Sequence, residues 1–117
     1  MDPRARIGAD AEQAAAQCLE AAGAKILLRN YRRRSGELDI VARLDDTLIV
    51  AEVRCRSSQQ FGGGAASVDR AKQRRIVRTT QQLLQQRPDL ARLRVRFDVL
   101  ALDGHSGVDW IRHAFEA

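Results

Sequence analysis

Two carboxylates, Asp39 and Glu52, stand in runs that otherwise read as apolar strands, within "GELDIVARLDDTLIVAEVR" over 36–54. A charge withdrawn from water without a partner is costly, so acids at such positions are expected to hold something. Paired hard oxygens suit Mg²⁺ or Mn²⁺, with water and phosphate oxygens completing the shell. A divalent ion held this way can activate water and stabilise charge on a phosphate in transit. The plain alternative is a wet edge hairpin, with Glu37 and Arg54 as a cross-strand ion pair.

The pairing rests on a hairpin. Leu38 to Leu44 and Leu48 to Cys55 read as strands joined through Asp45-Asp46. A loop symmetric about those two residues sets Asp39 opposite Glu52 and Glu37 opposite Arg54. Directly opposed side chains have Cβ atoms roughly 4.5–5.5 Å apart, where like charges repel unless a cation intervenes. Alternation puts Glu37, Asp39 and Val41 on one face with Val50, Glu52 and Arg54. The other face carries Leu38, Ile40, Ile49, Ala51 and Val53, which are core material.

The charge around these acids is positive. The chain carries a formal net charge of +5, and from Val53 to Pro88 its cations are Arg54, Arg56, Arg70, Lys72, Arg74, Arg75, Arg78 and Arg87 against Asp69 alone. Arg29, Arg32, Arg33 and Arg34 form a second cluster without an acid. Such a surface captures a polyanion that the carboxylates alone would repel, which points to nucleic acid. Charge by itself does not separate DNA, RNA and an acidic protein.

The elements that must position these groups follow the apolar pattern. Residues 7–22 place Ile7, Ala11, Ala14, Ala15, Cys18 and Ala22 at helical spacing, with Gly23 as a stop. "AKILLRNYRRR" reads as the first strand. Ser67 is a candidate cap for a helix running to about Gln86, with Asp69 near its positive end and Pro88 beyond it. Ile76, Thr80, Leu83 and Leu84 make its apolar stripe. "LRVRFDVLAL" alternates as a strand, with Asp98 expected to pair with Arg94 or Arg96, and a last short strand lies within "VDWIRHAF". The predicted order is αβββαββ in a single domain over 1–117.

"GELDIVA", then "EVRCR", "FGGGAASVDRAKQRR" and the late "RFDVLAL" together resemble the YraN family of bacterial proteins, from Gly8–Glu12 to Ala114-Phe115. That family is regarded as restriction-endonuclease-like, of the PD-(D/E)XK class, and similar to Holliday-junction resolvases. The resemblance implies a mixed β-sheet flanked by helices, with Asp39 and Glu52 as the two metal-binding acids. It implies for Glu12 the additional acid that resolvase-like members supply from the first helix. It also implies DNA as the substrate and a homodimer as the working form. Where the class has lysine, this chain has Arg54. A guanidinium stays protonated and cannot act as a base, but it can steady a developing anion. Lys72, on the apolar stripe near the start of the second helix, is a candidate substitute. Gln73 beside it is a candidate contact to a phosphate or a metal-bound water.

The expectation is therefore a metal-dependent nuclease with Glu12, Asp39, Glu52 and Arg54 at its centre. Arg32, Arg33, Arg34, Arg56, Lys72, Gln73 and Arg75 would contact nucleic acid, DNA before RNA. The alternative is a nucleic-acid-binding module that has lost the chemistry; a small adaptor for an acidic protein is the third reading. Cys18 and Cys55 have no metal-ligand spacing and read as buried small side chains in a reducing cytoplasm. No signal peptide or membrane span is legible. His105 and His113 read as surface residues, and Phe61 as a loop anchor. "GGG" lacks the Lys-Ser/Thr that follows in a phosphate-binding loop.

Overall fold

The chain begins with an alanine-rich helix, α1 (Pro3–Ala21). Gly23, at φ +99, ends it: its N–H donates to Glu20 O at 2.9 Å and the Ala24 N–H to Leu19 O at 3.0 Å. This paired closure needs a left-handed residue, which glycine adopts without a Cβ penalty. The computed structural model describes residues 3–55, 68–102 and 107–117, with side chains from Asp10 onward. After α1 come β1 (Lys25–Arg33), β2 (Gly36–Leu44), β3 (Thr47–Cys55), α2 (Arg70–Gln86), β4 (Arg94–Leu102) and β5 (Val108–Phe115). The result is a mixed α/β fold, compatible with a restriction-endonuclease-like domain.

The five strands form one sheet in the order β1-β2-β3-β4-β5. Every neighbouring pair is antiparallel except β3 and β4, which run parallel. A parallel pair requires a crossover, and α2 lies within it. The helix is capped by Asp69, whose carboxylate accepts the Lys72 N–H at 2.8 Å. This corrects the expectation of Ser67 as cap: that residue lies outside the described residues, and Asp69 stands one position before the first helical residue.

Both faces of the sheet are covered. Val41, Val50, Phe97 and Val99 pack with Ile76 and Leu83 of α2, while Ile40, Ala42, Ile49, Ala51 and Leu100 pack with Ala15, Ala16 and Leu19 of α1. The hairpin is thus no edge element, because β3 is the middle strand. Alanines in α1 allow close approach to the sheet, which suits a core with few aromatic rings. Cys18 is half-buried and Cys55 exposed, so only part of the expectation of two buried thiols holds. Among the described residues no helix is long and apolar enough to cross a membrane.

Asp98 is fully buried and gathers four donors. Arg96 reaches it through Nε and Nη2, both at 2.9 Å, Trp110 Nε1 lies at 2.9 Å and the His113 backbone N–H at 3.0 Å. The expected pairing with an arginine on its own strand holds, and the other contacts fasten a bulge in β5. Three residues there, Arg112 to Ala114, face Asp98 alone between the pairs Phe97↔Phe115 and Val99↔Ile111.

Candidate active site

The β2–β3 ladder keeps the register expected of a symmetric two-residue turn from Leu44↔Thr47 to Ile40↔Ala51, and there it ends. Beyond that point the Val53 N–H donates to Asp39 Oδ2 at 2.9 Å. The Asp39 side chain thereby meets a backbone donor that the ladder leaves unpaired. The strands part just where the two acids stand.

Glu52 is 1% exposed, and neither of its carboxylate oxygens has a hydrogen-bond partner. Burial first, then the neighbouring Asp39 carboxylate, push its pKa up to about 9, with Lys72 and Arg54 pulling the other way. Lys72 Nζ stands 3.9 Å from Glu52 Oε2, too long for a hydrogen bond and partly in solvent. It therefore offsets only part of the desolvation. Protonated, Glu52 hydrogen-bonds the Asp39 side chain; ionised, neither oxygen has a donor, and a buried acid whose charged form is left unpaired in this way calls for a cation.

Asp39 and Glu52 line a cleft of about 220 Å³ with Gly36, Glu37, Lys72 and Arg75. Helix α2 is brought against the start of β2 by close packing at Gly36, which has φ +150. A Cβ there would lie 3.3 Å from Thr79 Oγ1 and 3.4 Å from Arg75 Cβ. Ser35 Oγ lies 2.8 Å from Thr79 Oγ1 and donates to Gln82 Oε1 at 2.9 Å, while Thr79 Oγ1 lies 2.8 Å from Arg75 O. This small-residue junction fixes the height of α2 and with it the reach of Lys72 and Arg75.

The other candidates are distributed around this cleft. Glu37 pairs with Arg32 at 3.2 Å, its neighbour across β1–β2, which corrects the expected pairing with Arg54. Arg54 Nε is buried without a partner, and the guanidinium acts on Glu52 through its charge. Glu12 does not line the cleft. With its amide nitrogen turned to donate, Asn30 (φ +54) reaches Glu12 Oε1 at 3.2 Å and Glu37 Oε1 at 3.1 Å, so Glu12 is tied to the rim through Asn30. Gln73 Nε2 donates to Val68 O at 2.9 Å and also stands outside the cleft lining. Arg33 and Arg34 lie at the β1–β2 turn beside the C-terminal half of α2. Arg56, Phe61, the "GGG" run and His105 lie outside the described residues; His113 is exposed and contacts Glu116 at 3.2 Å.

Sequence reasoning missed Ser35, Thr79, Gln82 and Gln86. Their signal was the spacing of Arg75, Thr79, Gln82 and Gln86, which shares one helix face, but no apolar residue marks that face.

Comparison with known proteins bears on the same segments. A match to the Uncharacterised protein family UPF0102 covers residues 11–102, from α1 through the end of β4. The chain belongs to UPF0102. A UPF0102 protein of Nitrosomonas europaea is 43% identical over 111 residues, 93% of this chain and 92% of the relative. Another from Xanthomonas oryzae pv. oryzae is 46% identical over 115 residues, 97% of this chain and 94% of the relative. One from Halorhodospira halophila is 44% identical over 114 residues, covering 97% and 89%. All three share the UPF0102 description, and none carries a named activity.

Proposed function

We propose that this UPF0102 protein is a divalent-metal-dependent nuclease that hydrolyses phosphodiester bonds in DNA, including branched DNA. The observation that carries the reading is Glu52, buried with no donor to either oxygen of its ionised form and sharing one cleft with Asp39. The donor set fits Mg²⁺ or Mn²⁺, which take one or two carboxylates and leave the rest of the shell to water and phosphate. Among the described residues no group of three His, Cys, Asp or Glu side chains converges, which suits such a sparse site better than a closed zinc centre.

Asp39 and Glu52 would hold the ion. When bound, it supplies an activated water and charge stabilisation at the phosphate. Lys72 and Arg75 at the cleft draw the polyanion toward acids that would otherwise repel it. Arg54 keeps a permanent charge near Glu52 and steadies anionic charge without accepting a proton.

A second reading, a nucleic-acid-binding module without the chemistry, is favoured by Arg54 in the place of the class lysine. Both readings expect binding that weakens with salt. They separate on turnover: nuclease-free preparations of wild type, Asp39→Asn and Glu52→Gln are assayed with Mn²⁺ or Mg²⁺ on linear and four-way DNA and on structured RNA. Cleavage lost in both variants supports the nuclease. Salt-dependent binding with no metal-dependent turnover supports the module, and equal cleavage by all three proteins removes the proposed centre.

A further inference from the structure

Beside the acid cleft, Arg33, Arg34, Gln82, Gln85 and Gln86 line a second hollow of about 380 Å³. Its polar chemistry is one-sided. Gln86 Oε1 accepts from Tyr31 Oη and from Arg33 Nη2, both at 2.9 Å. An arginine only donates, so this pair fixes the amide with its oxygen turned to the protein and its NH₂ left for the hollow. Gln82 Oε1 is likewise taken by Ser35 Oγ. The Arg33 guanidinium is braced over the Tyr31 ring, 4.1 Å from its centroid, and bonds Arg32 O at 2.6 Å. Two glutamines have their acceptors used internally, two guanidiniums stand beside them, and the lining contains no carboxylate.

We propose that this hollow is a phosphate subsite for the same nucleic-acid strand that enters the acid cleft. The inference rests on the nucleic-acid reading above and extends it to residues outside the acidic centre. A lining with two oriented amide donors, fixed positive charge and no carboxylate matches a phosphodiester oxygen. The spacing follows from α2. Arg75 borders the acid cleft and Gln82 and Gln86 the hollow; at about 1.5 Å per residue they are roughly 10–16 Å apart along the helix. That separation spans a few nucleotides of one strand. The hollow would therefore set how far a strand extends past the acids, and so its register in the cleft.

The test is anisotropy of a labelled DNA duplex spanning both sites, titrated across salt concentrations, with wild type, Arg34→Gln and Gln86→Glu. Gln86→Glu keeps an acceptor for Tyr31 and Arg33 while replacing the donating NH₂ with negative charge, and Arg34→Gln alters an exposed side chain, so at least one variant keeps the fold, as a thermal melt verifies. Each folded variant is expected to lower the salt slope by about one, with affinity falling roughly eight-fold at about 0.1 M salt. A wild-type slope and affinity in both variants overturns the subsite while leaving the nucleic-acid reading intact. Absence of wild-type binding to DNA and to RNA at low salt overturns that reading, and the subsite with it.

Discussion

The backbone N–H of Val53 donates to the side chain of Asp39, at 2.9 Å, just past the last ladder pair of the β2–β3 hairpin, Ile40↔Ala51. That bond turns a continuous hairpin into a fork, and Glu52 is buried in the fork. A carboxylate doing a backbone's work also has a fixed direction, which holds Asp39 beside Glu52. The consequences can be measured.

Stability in a chelator should fall as pH rises. Below the ordinary glutamate value of 4.5, Glu52 is protonated in folded and unfolded chains alike and imposes no penalty. Between 4.5 and about 9 the unfolded chain releases that proton while the native chain keeps it, so unfolding gains on folding; above about 9 the penalty is constant. Glu52→Gln removes the slope, and at pH near 8 it should be more stable than wild type by a few kcal/mol. Urea midpoints against pH for both proteins provide the comparison; parallel curves would mean that Glu52 is solvated.

Divalent metal should reverse the same penalty. Mn²⁺ at a hundred-fold excess over its Kd is expected to stabilise the wild type by about 2.7 kcal/mol. The rise in Tm should vanish in Asp39→Asn and in Glu52→Gln. A Tm rise that persists in both variants would place the metal elsewhere.

Gly36→Ala should be destabilising by about 1–3 kcal/mol, since it combines a backbone at φ +150 with a Cβ crowding Thr79 and Arg75. The same shift displaces α2, so weaker DNA binding should accompany it. Chemical denaturation and anisotropy on one preparation read both effects, and stability within error of wild type would contradict the tight junction.

Asp98→Ala strips the partner from a guanidinium, an indole N–H and a strand amide at once. A loss of about 3–5 kcal/mol is expected, because the cation of a buried pair is left uncompensated. Denaturant unfolding followed by Trp110 emission reports it, and a loss under about 1 kcal/mol would indicate that water replaces the carboxylate.

Much of this site was legible in the sequence because its central unit is local. A two-residue turn and its register were enough to bring Asp39 beside Glu52, and the apolar stripe located α2; strict alternation fails at Leu38, expected with Ile40 but packed with Val41 on the α2 side. What escaped depends on partners distant in the chain. Glu37 pairs with Arg32 because β1 occupies the other side of β2, and a hairpin considered alone offers only Arg54. The parallel β3–β4 pairing, which makes β3 the middle strand of the sheet, is likewise invisible to local pattern. For Asp98 the strand pattern offers only the arginines beside it, whereas the Trp110 indole and the His113 amide come from β5. The Ser35–Thr79 junction carries no hydrophobic signal at all.

The bulge held by Asp98 has a consequence for how this sheet meets other chains. An outer strand with regular, unmet N–H and C=O groups is a template for further strands and for aggregation. Here β5 is broken opposite Asp98, and β1 has its own register shift between Ile26 and Leu28. Neither border offers a long straight row for another strand to continue. A buried carboxylate whose visible task is to fasten a bulge thus also keeps one border of the sheet from serving as a template for another strand.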